Sequence, residues 1–244
     1  MSRVRSWIVT AATLLTVAGT ASLGLWQLDR AAQKTALQGA IAERQNLAPW
    51  READLIAAPD PRDGIHRPVR LSGRWVAQAT VFLENRQMGG RVGFFVVTPL
   101  RLDGSDRAVL VQRGWVPRDF QDRLRVPDVP TPDTPVTVDG RLASPPGQLY
   151  AFGEPSTGTI RQNIALDAFA TETGLPLLPV SVLQTGDTGE DLLRQWPLPA
   201  VDVAKHHGYA FQWFALCTLA AGLYLWFQII QPRRARDPSH GPDA

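Results

Sequence analysis

Residues 6–28 read SWIVTAATLLTVAGTASLGLWQL and residues 206–232 read HHGYAFQWFALCTLAAGLYLWFQIIQP; neither stretch holds a charged side chain. As helices, both exceed the ~20 residues that cross about 30 Å of hydrocarbon. A buried core helix of that length does not suit a domain this small, so the reading is two transmembrane helices, 7–27 and 207–230. Between them lies one domain, 28–205. The 25 basic and 23 acidic residues crowd into that domain and the extreme tail. A mean hydropathy of -0.11 conceals this division.

The charges narrow the function. A net charge of +2 and a pI near 9.0 would admit an anionic partner, but basic and acidic residues alternate through the middle. A nucleic-acid surface needs a one-signed stripe, and the sequence has none. Of the basic residues only Lys34 and Lys205 are lysines. The single cysteine, Cys217, sits inside the second apolar run. It excludes an intrachain disulfide, a paired-thiol copper or redox site, and a zinc cluster.

Arg3 and Arg5 precede the first run, and Arg233, Arg234 and Arg236 follow the second. The positive-inside bias places the ends, 1–6 and 231–244, in the cytoplasm and the domain outside it. Without a Ser/Arg-rich amphipathic presequence, the expected home is a bacterial plasma membrane. A cleaved secretory signal is the alternative for the first run, with small residues at Ala18 to Ala21, although the run exceeds the usual ~7 to 15 residue apolar region. Ala12, Thr16, Thr20 and Gly24 recur every four residues and predict a small-residue helix face for close packing. Thr218 and Gly222 offer the second helix a similar patch.

Outside the membrane, Leu28, Ala32, Leu37 and Ile41 keep a helical period and predict a stalk over 28–46. A β domain over 65–200 follows. Strand-type runs occur at Val69–Leu71, Thr80–Leu83, Phe94–Val97, Ala108–Val111, Val136–Val138 and Pro179–Leu183, with a turn at Asp103–Asp106. One helical pattern, 163–172, is stopped by Gly174. The fold class is a membrane protein whose two transmembrane α-helices flank one mainly antiparallel β, barrel-like α+β extracytoplasmic domain. Four prolines in VPDVPTPDTP, 126–135, make that stretch a loop, either a rigid connection or a binding surface.

Catalytic parts are scarce. His66 reads as an exposed strand-edge histidine, and Glu84, Asp103, Asp119 and Glu154 as solvated carboxylates in turns or at strand ends. Hydrolase, nucleotide-binding and metalloprotease motifs do not occur. At the start of the second span, His206, Tyr209, Trp213, Cys217 and Tyr224 fall on one helical stripe. A neutral imidazole beside aromatic rings suits axial ligation of haem iron, while aromatic belts and hydrated histidines are also ordinary at membrane edges.

The motifs LGLWQLDR (23–30), VRLSGRW (69–75), GFFVVTPL (93–100), VLVQRGWVP (109–117) and HHGYAFQWF (206–214) occur in that order. In this order the chain resembles the surfeit locus protein 1 family, membrane proteins that assist assembly of haem-copper terminal oxidases. The resemblance implies a non-catalytic role: holding haem a during its insertion into the catalytic subunit of cytochrome c oxidase, with haem a synthase as a further partner and no nucleic acid. It carries the family's histidine onto His206. His207 stands where the family pattern has an apolar residue, and His206, His207, Tyr209 and Trp213 are the cofactor-binding candidates. Gly24, Trp26, Gln27, Arg30, Gly93, Pro99, Arg113, Gly114 and Trp115 are the other motif residues. Arg113–Trp115 is expected as a tight strand-end turn with an internally paired arginine; a guanidinium set for a haem propionate is the alternative.

Overall fold

The structure, a computed structural model, describes residues 3–119, 121–122, 125–149, 158–186, 191–196 and 203–234. Glu154, Arg236, the domain end at 197–202 and the tail from 235 lie outside these residues. The chain divides into two compact units, one of residues 40–198 and one of 1–39 with 199–244.

The first unit to consider, 40–198, is built on a seven-stranded sheet of β1 (Pro68–Trp75), β2 (Val81–Met88), β3 (Arg91–Leu102), β4 (Ala108–Pro117), β5 (Val136–Ala143), β6 (Ile160–Arg161) and β7 (Leu177–Gln184). Alternating burial along β1 and β5 is the period-two signature of strands with one face on a core. The order is β1-β5-β7-β4-β3-β2-β6, and β1 also pairs with β3 through Gly73–Trp75 against Leu100–Leu102. Five strands therefore close into a ring, and β2 and β6 extend from β3. Closure removes the open edges of those five strands. All pairings are antiparallel except β4 with β7 and β2 with β6. The interior core packs Val69, Leu71, Leu100, Val109, Val111, Val138, Leu142, Val180 and Val182, joined by Leu55 of a short helix α2 (Glu52–Ala57). A second cluster outside the ring gathers Val81, Leu83, Val97 and Leu110 under Phe169 of α3 (Leu166–Thr173). Gly174, in the left-handed region at φ 65°, ends α3, as a residue without Cβ does at low cost.

Three local readings are corrected. Arg113–Trp115 is not a strand-end turn, because β4 continues through it to Pro117. Val96 pairs with Gly114 and Val97 with Gln112, which leaves Arg113 as the extra residue of a β-bulge. Glu84 lies within β2, where the register shifts between Leu83 and Arg86. His66 is half-buried rather than an exposed strand edge. It precedes β1 in the left-handed region at φ 76°, with its N–H donating to Leu142 O at 2.8 Å.

The bulge explains the motif around it. Arg113, fully buried, lies over the Trp75 ring at 4.8 Å and donates to Pro130 O at 2.6 Å and Thr131 Oγ1 at 2.7 Å. Arg74 donates to Asp133 O at 3.0 Å, so two guanidinium groups hold the proline-rich segment. Gly114 leaves room for Leu192, which would lie 2.6 Å from an added Cβ. Trp115 exchanges backbone hydrogen bonds with Leu193 and donates its indole N–H to Arg86 O at 2.9 Å. Pro99 sits where the neighbour of β3 changes from β2, last paired at Val97, to β1, first paired at Leu100. No ladder donor is needed there, so proline is tolerated inside a long strand.

The other unit contains the apolar helices. Helix α1 runs unbroken from Arg3 to Gln45. Helix α4 (Val203–Tyr224) continues through a π-helical stretch, Leu225–Ile230, into a last α-turn, Gln231–Arg234. Both are long and apolar enough to cross a membrane, and their apolar windows are 6% and 0% buried. That exposure is opposite to the burial of a soluble core helix.

Gly93 decides how tightly β3 and β4 pack, because an added Cβ would lie 2.1 Å from Val116 O and 2.6 Å from the Trp115 ring. Gly93→Ala is expected to destabilise the domain by about 1–3 kcal/mol through overpacking. Gly39→Ala, on α1 with open space around Cβ, is expected to match or exceed wild type because alanine favours a helix. Thermal melts of both variants in detergent, followed by tryptophan fluorescence, check the pair.

Candidate functional site

The α1–α4 seam starts from helix periodicity. A spacing of four residues overshoots one turn by about 40°, so it winds off any fixed face. The face of α1 turned inward instead alternates steps of three and four: Thr10, Thr13, Val17, Thr20, Gly24 and Gln27 are half-buried or buried. Thr20 and Gly24 of the expected small-residue stripe belong to it; Ala12 and Thr16 are exposed beside it. On α4 the inward positions are His206, Ala210, Trp213, Cys217 and Tyr224, with Ala210 the most buried at 2%. Tyr209, 50% exposed, is off this stripe, and His207 is exposed.

Gly24 sets the approach of the helices. A Cβ there would lie 2.8 Å from the Phe214 ring, so only hydrogen lets the ring seat against the α1 backbone. Toward one end of the seam, Thr10 and Tyr224 share a hydroxyl hydrogen bond of 2.9 Å. Midway, Cys217 Sγ donates weakly to Val17 O at 3.6 Å. At the other end, one helical turn beyond Gly24, Nδ1–H of His206 donates to Gln27 Oε1 at 2.7 Å. A neutral imidazole that donates through Nδ1 keeps its lone pair on Nε2. That lone pair is left without the Gln27 contact and is available to a ligand.

The remaining α1 motif residues point elsewhere. Trp26 is 48% exposed, and the Arg30 guanidinium lies over its ring at 5.6 Å. Arg30 also donates to Gln33 Oε1 at 3.0 Å, and Gln33 to Asp29 at 2.7 Å, a surface chain along one helix face. The structure thus brings together Gly24, Gln27 and His206 in one unit, and Gly93, Arg113, Gly114 and Trp115 in the other. The partnership of Gln27 with His206, 179 positions apart, has no signal in the sequence beyond the presence of both residues in motifs. The same holds for Phe214 against Gly24.

Among the described residues no group of three or more His, Cys, Asp or Glu side chains converges. A porphyrin brings four nitrogen donors of its own and asks the protein for an axial one. One oriented imidazole fits that requirement, and Gln27 supplies the outer hydrogen bond that fixes ring and tautomer in ligating histidines.

A closed β-barrel domain carried between two membrane-capable helices, with an oriented histidine at the helix contact, defines the class. The chain belongs to the SURF1 family, whose sequence profile matches residues 14–218. Among its curated relatives, the cytochrome oxidase assembly protein SHY1 of Saccharomyces cerevisiae is 30% identical over 94 residues, 38% of this chain and 24% of that protein. Surfeit locus protein 1 of Arabidopsis thaliana is 31% identical over 114 residues, 43% of this chain and 32% of that protein. A SURF1-like protein of Rickettsia felis is 28% identical over 108 residues, covering 43% of each. The chain therefore aligns with less than half the length of each of these relatives.

Gly24→Leu is expected to displace Phe214, part the helices and lower the melting temperature in detergent. Gly19→Leu, where an added Cβ meets nothing within 4 Å, is expected to leave it unchanged. Differential scanning fluorimetry of the two variants distinguishes a packing role for Gly24 from a general effect of apolar bulk.

Proposed function

We propose that this protein is an assembly factor for a haem-copper terminal oxidase, holding haem a through His206 while the haem is inserted into the oxidase's catalytic subunit. The observation that carries the reading is the 2.7 Å contact of His206 Nδ1 with Gln27, which directs the Nε2 lone pair away from α1. Names of its relatives support the coarser part, since SHY1 is called a cytochrome oxidase assembly protein. Haem bound here would supply an iron that takes one imidazole nitrogen. Tyr209 and Trp213, on the same helix as His206, are the aromatic groups proposed to flank the ring.

The chain's own residues have three tasks in this reading. Gly24 lets the helices meet, Gln27 orients the imidazole, and His206 holds the group without chemical change. The role is non-catalytic. Transfer asks that the grip be reversible, and a single axial bond without a covalent link meets that need. Haem a synthase is the proposed source of the cofactor, and the oxidase catalytic subunit its destination. The proposed location is a bacterial plasma membrane with both termini in the cytoplasm, supported by Arg5 in the first turn of α1 and Arg233 after the π-helical stretch.

A second reading, a cofactor-free scaffold for an assembly intermediate, has one observation in its favour. Ala12 and Thr16 of α1 border an open groove with Ala220, Leu223 and Phe227 of α4, and small side chains at a membrane groove admit a third helix.

Protein purified after co-expression with the haem a pathway is expected to carry haem, seen as a Soret band. His206→Ala is expected to lose at least about nine-tenths of it, and Gln27→Leu to retain a weakened, altered spectrum, since loss of an outer-shell partner costs about 10–100-fold in affinity. His207→Ala is expected to keep wild-type haem. Wild-type haem content in the His206→Ala/His207→Ala double variant would leave the scaffold reading in possession.

A further inference from the structure

The barrel carries a cluster of cationic side chains. Arg141 sits on the outward face of β5, opposite Pro68 in the register with β1. It is half-buried, and among the described residues no carboxylate pairs with it and its guanidinium makes no hydrogen bond. Beside it, Leu142 ties down the segment before β1 from both directions: His66 N–H donates to Leu142 O at 2.8 Å and Leu142 N–H to Arg67 O at 2.9 Å. Arg44, in the last turn of α1, donates to Ile65 O at 3.1 Å. Arg44 thus reaches residue 65 directly, and the charges of both Arg141 and Arg44 act on His66, which is held in a left-handed conformation at φ 76°.

The neighbouring charges do not neutralise them. Asp139, on the same face of β5, is paired with Arg70 at 3.1 Å, and Asp60 with Arg62 at 3.0 Å. Asp63 and Glu43 are exposed and pair with neither Arg44 nor Arg141. Arg67 turns to Trp50, 5.2 Å from its ring centroid, and donates to Ala48 O at 2.9 Å. On β7, the residue opposite Arg141 is Leu183, without charge.

A half-buried guanidinium without a protein partner keeps its five donors available to a ligand. We propose that Arg141, His66 and Arg44 form a binding site for a doubly charged oxyanion, of the sulfate or phosphate type, on the outside of the barrel. Arg141 offers the planar fork that matches two oxygens, and Arg44 and His66 supply further donors. The cluster also sets a pH dependence. Burial, then the nearby Arg141 and Arg44 charges, lower the His66 pKa below its ordinary value, so the empty site holds a neutral ring near pH 7. A bound dianion favours the protonated ring. Affinity therefore rises as pH falls through the titration range of the anion-bound ring and levels off once the ring of the empty site is protonated as well.

The test uses the full-length protein in a neutral detergent, with the His66 imidazole observed by NMR. Sulfate, a dianion throughout the range, is titrated against chloride at equal ionic strength. Expected are a saturable shift with sulfate alone, a raised His66 titration midpoint when sulfate is bound, and affinity weakened by about tenfold or more in Arg141→Gln, the loss of a charge-assisted hydrogen bond. Arg44→Gln, at an exposed helix end, is expected to weaken it less and serves if Arg141→Gln fails to fold. Nanodiscs containing phosphatidic acid, whose phosphomonoester headgroup can carry two charges, beside phosphatidylcholine discs, separate the sources: saturation by the anionic discs alone assigns the same site to a lipid headgroup. Equal, non-saturating responses to sulfate and chloride, with no response to either disc, would overturn the proposal.

Discussion

The close approach of two apolar helices at Gly24 is the constraint on which the candidate site depends. With the Phe214 ring seated where a side chain would otherwise be, the α1 and α4 backbones come near enough for Gln27 to reach His206 one turn further on. Within a membrane apolar surface gives no preference for a neighbouring helix over lipid, so contact rests on small residues and a few polar bonds. Thr10 with Tyr224, Cys217 with Val17 O, and Gln27 with His206 are those bonds here, spaced along the seam. The His206 bond has a second consequence: it gives the imidazole a defined tautomer.

The barrel follows a different logic, in which burial is abundant and polar groups are placed with care. Arg113 is the clearest instance. A β-bulge allows β4 an extra residue, and its guanidinium donates to the proline-rich segment and lies over the face of Trp75. The bulge, the missing side chain at Gly114 and the indole of Trp115 fasten β4 to the Pro130 and Leu193 segments at once. The motif is therefore a structural clasp. Arg161, 6% exposed in its side chain, takes the usual course instead and meets Glu172 at 2.9 Å; its hydrogen bonds, followed by its charge, hold the Glu172 carboxyl below the ordinary range.

The sequence disclosed what depends on local composition. Charge-free runs marked the two helices, and β-branched runs between turn residues marked six of the seven strands. β6, two residues long, offered no pattern to read. Stripes are less legible: on α1 a face drawn at a spacing of four leaves the true seam within two turns, and on α4 a step of three from His206 reaches the exposed Tyr209 while a step of four reaches the buried Ala210. Arg113–Trp115 looked like a turn because its glycine is a turn residue in isolation, whereas the bulge is imposed by pairing with β3. Long-range partners such as Gln27 and His206, or Arg141 and His66, exist only after folding. The motif residues were visible in the sequence, but their pairings were not.

The central claim is that Gln27 fixes His206 with a proton on Nδ1 and a bare Nε2. The 15N chemical shifts of the His206 ring, measured at neutral pH on selectively labelled, haem-free protein, test it most directly. The account requires a protonated Nδ1 and an unprotonated Nε2 in wild type, and a mixture of tautomers in Gln27→Leu. A proton resident on Nε2 in the wild-type protein would contradict it.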